Sequence, residues 1–159
     1  MNSDKQAGFS LIEILIVVLI INILAATAIT FYIGMRDKAR RATIIRTASS
    51  ASDEVNLWLQ SSFSTRRNII EIDTNFDGVI NNGDRTNEEL LLYGVAKAYS
   101  EARNARGEAS PWFPLSMWTF ENLLPNGRIS VIQVSSTNIR ITGRGKIGTI
   151  LYENHLTVD

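Results

Sequence analysis

The densest run of metal-capable side chains lies between Asp73 and Asp84, where the chain reads DTNFDGVINNGD. Side-chain oxygens fall at loop positions one, three, five, nine and twelve, Gly78 stands at six and apolar Ile80 at eight. Calcium takes about six to eight hard oxygen ligands, and a twelve-residue loop with this spacing supplies them, with glycine at the sharp turn. The spacing assigns Asp73, Asn75 and Asp77 as side-chain ligands and Val79 as a backbone-carbonyl ligand. Asn81 would bind directly or through water, and Asp84 would close the shell. A polar surface turn is the competing reading, since Asn, Asp and Gly form turns without metal. Agreement in type and order at six positions favours calcium. Three carboxylates in one exposed loop suit the weak extracellular class, with dissociation constants on the order of 0.1 to 1 mM. Such a site fills outside the cell and empties inside it.

Other chemistry finds less support. Gly143, Gly145 and Gly148 match a dinucleotide-binding glycine pattern, but that pattern has meaning only inside a βαβ unit, and the chain is too short after Gly148 to make one. A turn joining two strands is the better reading. His155 is the only histidine and has no nucleophile motif beside it, so it reads as a strand residue and no enzyme is expected. Trp112, Phe113 and Trp118 are read as packing between helix and sheet, with an adhesive surface as the alternative. Cysteine is absent, which removes disulfides, zinc-thiolate sites and thiol nucleophiles together. Packing or a metal must therefore hold the fold.

The elements that position these residues follow from patterning. From Ile14 to Ile33 the chain carries no charge, and Asn22, Thr27 and Thr30 are its polar interruptions. A helix of about 20 such residues spans the ~30 Å hydrocarbon core of a membrane. Residues Met35 to Ser62 then contain neither Pro nor Gly, with apolar residues near helical spacing at Ala39, Ala42, Ile45, Ala48, Val55 and Leu59. One long helix from near Leu11 to about Leu59 is expected, apolar all round in its first half and amphipathic in its second. A second helix is expected over Asn87 to Arg106, opened by Thr86 and Glu89 at capping-box spacing. Pro111, Pro114 and Pro125 exclude helix from Ser110 to Arg128. Strands are expected over Arg128 to Ser135, Asn138 to Thr142 and Thr149 to Val158, joined by short turns into an antiparallel sheet. The fold class is α+β: a long N-terminal helix with a membrane-embedded first half, packed on a small antiparallel β-sheet head.

Lys plus Arg equals Asp plus Glu at 16 each, so no net charge draws the chain to nucleic acid, and no nucleic-acid partner is expected. Arg140, Arg144 and Lys146 make a basic edge, where DNA uptake is a minor alternative. Arg36, Lys38, Arg40, Arg41 and Arg46 follow the apolar run whereas Lys5 precedes it, which by charge alone would put the C-terminal side in the cytoplasm.

Gly8-Phe9-Ser10-Leu11-Ile12-Glu13, followed by the apolar run, resembles the prepilin signature of type IV pilins and secretion-system pseudopilins. The resemblance implies cleavage between Gly8 and Phe9 by a prepilin peptidase on the cytoplasmic face, and methylation of the new Phe9 amine. The division it implies is a leader over 1–8, a transmembrane and assembly segment over 9–34, and the amphipathic half of the helix with a globular head over 35–159. A carboxylate heading an apolar helix is costly in lipid and needs a partner. In the family that partner is the terminal amine of a neighbouring subunit, here Phe9, so Phe9 and Glu13 are the expected assembly residues. A leader that faces the cytoplasm outweighs the charge bias. Asn22 and Thr30 stand where many major pilins carry Gly and Pro, which brings a minor tip pilin or a type II secretion pseudopilin into consideration. Asp at the last loop position makes the acidic segment similar to the EF-hand-type loops of dockerins.

The implied function is a structural subunit of a pilus-like filament, held in the inner membrane by a single span before assembly, with its head periplasmic. After assembly it would lie in an extracellular filament or a periplasmic pseudopilus. From another class, the alternative is a membrane-anchored calcium-dependent binding module.

Overall fold

The computed structural model describes residues 9–64, 73–84, 94–121 and 126–158. Gly8, with the leader, and the expected first turns of the second helix from Asn87 lie outside the described residues.

Helix α1 runs without a break over Leu11–Ser64. Its length follows from the sequence: no Pro interrupts it, and Gly34 is the one glycine in the span. The chain divides into two compact units, Met1–Ala39 and Arg40–Asp159. In the first, the apolar side chains are exposed on every side of the helix, from Leu11 at 81% to Val18 at 50%. By length and composition the helix is apolar enough here to cross a membrane. The Thr27 and Thr30 hydroxyls donate back to carbonyls one turn earlier, Thr27 to Leu24 at 2.9 Å and Thr30 to Ala26 at 3.3 Å. Both threonine hydroxyls are thus satisfied within the helix, as lipid requires.

In the second unit, Ile44, Ala48, Ala51, Val55, Trp58 and Leu59 form the buried face of α1. The steps of three and four between them are the period of one helix face. Ile44 rather than Ile45 faces inward, and Ile45 remains 40% exposed. Helix α2, Gly94–Ala105, buries Val95, Ala98 and Tyr99. Strands β1 (Trp118–Thr119), β2 (Ile129–Gln133), β3 (Asn138–Arg144) and β4 (Ile150–Thr157) form one sheet in that order.

The sheet is mixed, which corrects the all-antiparallel expectation. Strands β2 to β4 make the expected antiparallel meander, but β1 pairs parallel with β2, Trp118 opposite Ile129. A parallel pair cannot be closed by a tight hairpin turn, so this pairing lies outside what adjacent strands and short turns imply. The three-glycine segment is a turn, with Gly148 at φ 83° and its amide 3.1 Å from the Gly145 carbonyl.

Two features join helix to sheet. Gly143 lies under α1, where a Cβ would stand 2.8 Å from Ile44 Cγ2. Tyr152 and Ser52 share a hydroxyl hydrogen bond of 2.8 Å.

Candidate functional site

The acidic loop is held by its own side chains. Asp73 accepts the Asp77 amide at 3.0 Å and the Gly78 amide at 2.7 Å. The Asn75 side-chain oxygen accepts the Asp77 amide at 2.9 Å, and the Asp77 carboxylate accepts the Val79 amide at 2.8 Å. Gly78 takes φ 88°, the left-handed turn that its type anticipates. Asp73, Asn75 and Asp77 are thus brought around one turn, and each side-chain oxygen keeps a lone pair beyond its amide. The Val79 carbonyl accepts the Asn81 side-chain amide at 3.2 Å, and the Asn81 oxygen accepts the Gly83 amide at 2.7 Å.

Asp84 plays a different part. It sits in a three-residue 3₁₀ turn, Asn82–Asp84, and is fully buried. Its carboxylate accepts the amides of Asn81 at 2.7 Å, Thr74 at 3.0 Å and Asn75 at 3.3 Å, and the Thr74 hydroxyl donates to its carbonyl. The Asn81 amide, followed by those of Asn75 and Thr74, outweighs the cost of burial and lowers the carboxyl pKa below its ordinary 3.8. Asp84 therefore staples the two ends of the loop together. Among the described residues, no group of three or more His, Asp or Glu side chains is gathered as a metal site. In donor type the loop fits calcium: hard oxygens of Asp73, Asn75 and Asp77 lie together at its open end, while Asp84 serves the backbone at its closed end.

Phe76 fixes this loop to its own unit. It takes φ 59°, uncommon for a bulky side chain, and its ring stacks on Trp58 with centroids 6.2 Å apart. The Arg106 guanidinium stands 4.6 Å from the same ring. Beneath lies a network that distances along the chain conceal. Arg103, 8% exposed, meets Glu54 at 2.8 Å and Glu108 at 3.0 Å. Tyr99 donates to Glu54 at 2.7 Å, and the Trp118 indole donates to Glu108 at 2.7 Å. Burial and the Glu54 carboxylate push the Tyr99 hydroxyl pKa far above its ordinary value. Burial opposes the charge on Arg103, yet the oxygens of Tyr99, Glu54 and Glu108 together raise its pKa.

At the other end of the chain, Phe9 is 85% exposed, and Ser10 caps α1. Glu13 turns back to accept the Ser10 amide at 2.8 Å, while its own amide donates to the Ser10 carbonyl at 3.1 Å. This is the Glu arm of a capping box, whose S-x-x-E signature is present in Ser10 to Glu13. A carboxylate at a helix N-terminus also complements the helix dipole. Among the expected assembly residues, Glu13 thus has a partner within its own chain, and Ser10 is the residue that supplies it. Of the other motifs, Phe113 packs over Gly127, where a Cβ would stand 2.9 Å from its ring. His155 is a β4 residue with a mostly exposed side chain, 3.7 Å from Glu153.

Residues 3–29 match the family model described as the prokaryotic N-terminal methylation motif. No curated protein and no solved structure matches the chain. The motif supports a type IV pilin-like or pseudopilin-like protein with a processed leader, and points to a structural protein rather than an enzyme. With the apolar helix, it is consistent with anchoring in the inner membrane before assembly.

Proposed function

We propose that the chain is a structural subunit of a type IV pilus-like filament, processed between Gly8 and Phe9 and assembled through its N-terminal helix. The observation that carries the proposal is the methylation motif over residues 3–29 at the head of a helix whose apolar side chains are exposed all round. Such a surface needs lipid before assembly and neighbouring helices after it, and head-to-tail stacking of like helices propagates as an open filament. Glu13 gives that greasy interface a register. In the free subunit the Ser10 amide satisfies it, and in the filament the terminal amine of a neighbour's Phe9 would compete for the same carboxylate. Before assembly the residues following the span stand on the periplasmic side.

A type II secretion pseudopilin or a minor tip subunit is the second reading. It is favoured by Asn22 and Thr30 where many major pilins carry Gly and Pro, in a helix that passes through both positions unbroken.

The proposed filament is tested by isolating sheared or secretion-linked filaments from cells carrying wild-type or Glu13→Gln protein. Wild-type chains should be found in filaments and the variant should remain in the membrane. Equal assembly of the two would remove Glu13 from the account, and wild-type protein that never leaves the membrane would remove the filament.

The acidic loop is proposed to take calcium after export, through Asp73, Asn75 and Asp77 with the Val79 carbonyl and Asn81. Asp84 would hold the loop ends closed or join the shell. The ion would neutralise neighbouring carboxylates and stiffen a unit that has no disulfide. At tenfold its dissociation constant, calcium would add roughly 1.4 kcal/mol of stability. A thermal shift that appears with calcium in wild type and disappears in Asp73→Ala supports this assignment, and an unchanged melting temperature at millimolar calcium contradicts it.

A further inference from the structure

We propose that Arg36, Lys38 and Arg40 form a basic collar on α1 that binds the anionic headgroups of the membrane its first half spans. The proposal rests on the membrane reading of that half. The apolar stretch ends at Phe31, Tyr32 and Ile33, all exposed, and an aromatic pair at the end of a span marks the headgroup boundary. Gly34 and Met35 follow, and the charges begin at Arg36. At 1.5 Å per residue, Arg36 to Arg41 rise ~7.5 Å, about the thickness of one headgroup layer.

Two features select lipid over a protein partner. At 100° per residue, Arg36, Lys38 and Arg40 stand at roughly 0°, 200° and 40° around the helix. A partner on one side would meet only part of that set, whereas a surrounding plane of phosphates meets all of it. Helical side chains also tilt toward the N-terminus, so these cations lean back toward the membrane and can reach phosphates below their own Cα atoms. Arg36 and Lys38 are exposed and Arg40 is half-buried. Asp37 and Arg41 each engage other groups and leave the balance unchanged, so residues 36–41 carry a net charge of +3 from four basic and one acidic residue. Basic residues just after a span work against translocation, and a hold on the headgroups at the far face gives them a use.

The test is lipid selectivity of the full-length chain in phosphatidylcholine vesicles, read by electron spin resonance with spin-labelled phosphatidylglycerol or spin-labelled phosphatidylcholine as probe. Each basic residue near the surface is worth about a fivefold preference for an anionic lipid contact, so phosphatidylglycerol should be enriched about fivefold beside the chain. High salt and the Arg36→Gln/Lys38→Gln/Arg40→Gln variant should bring the ratio toward one, while Arg36→Lys/Arg40→Lys should keep it. Equal motional restriction of both lipids by wild type would overturn the collar and leave the span intact. If neither lipid is restricted, the chain is not in the bilayer, and the membrane reading fails with it.

Discussion

Gly143→Ala measures how closely α1 is seated on the sheet. The added Cβ would stand 2.8 Å from Ile44 Cγ2 and 3.5 Å from both Ala48 Cβ and Tyr152 Cβ. The last two are ordinary contacts, so the whole penalty falls on Ile44. Its Cγ2 cannot swing away, because a β-branched side chain in a helix has one strongly preferred χ1. Separation must grow by more than half an ångström, through backbone movement of β3 or α1. Overpacking of this kind costs about 1–3 kcal/mol. Ile44→Ala alone removes a fully buried side chain and costs about 2–5 kcal/mol. In the double variant the clash has no partner, so the two costs should fall short of additive by about 1–2 kcal/mol. Urea denaturation of the full chain in detergent, followed by tryptophan fluorescence, gives the three values. Strict additivity, or a neutral Gly143→Ala, would refute the close approach of helix and strand.

Arg103→Met removes the cation shared by Glu54 and Glu108. Breaking a fully buried pair costs 3–5 kcal/mol, but the Glu54 side chain is 37% exposed, so a loss of about 2–3 kcal/mol is expected in the same assay. Acid should weaken the loop through Asp84. Its folded pKa lies below 3.8, so the unfolded chain binds its proton first, and the stability it gives above 3.8 is lost as pH falls through the lowered folded value. Denaturation midpoints should fall in that window, and by less in Asp84→Asn. Alkali should act through Tyr99, whose folded pKa is raised above 10.0: stability present below that value is lost as pH rises past it. Tyr99→Phe should flatten the alkaline limb of the profile and cost about 1 kcal/mol at neutral pH through its lost hydrogen bond.

The parts of this chain that can be read from sequence are those built from neighbours along it. Helix α1 is legible because no Pro and one Gly fall within its span, and β2, β3 and β4 begin and end near their punctuating Ser, Asn and Gly residues. Strand β1 is not, since two residues between prolines give no period, and nothing local marks its parallel pairing with β2. The Arg103 network draws Glu54 from α1, 49 residues away, to the Tyr99, Arg103 and Glu108 neighbours along the chain, so no local pattern announces it. Asp84 illustrates a different limit. Its type and spacing suit a metal ligand, but type does not say which way a carboxylate faces, and here it faces three backbone amides. The cap at Ser10 is legible in its S-x-x-E spacing, and it is overlooked when Glu13 is read only as an assembly residue.

The most direct measurement is the mass of the N-terminal peptide of the protein taken from its own membrane or filament fraction. A chain that begins at Phe9 with a methylated amine is the predicted result, and it would establish the processing on which assembly through Phe9 and Glu13 depends. An intact Met1 to Gly8 segment in exported, assembled protein would contradict the account and favour a plain membrane anchor carrying a calcium-dependent binding module.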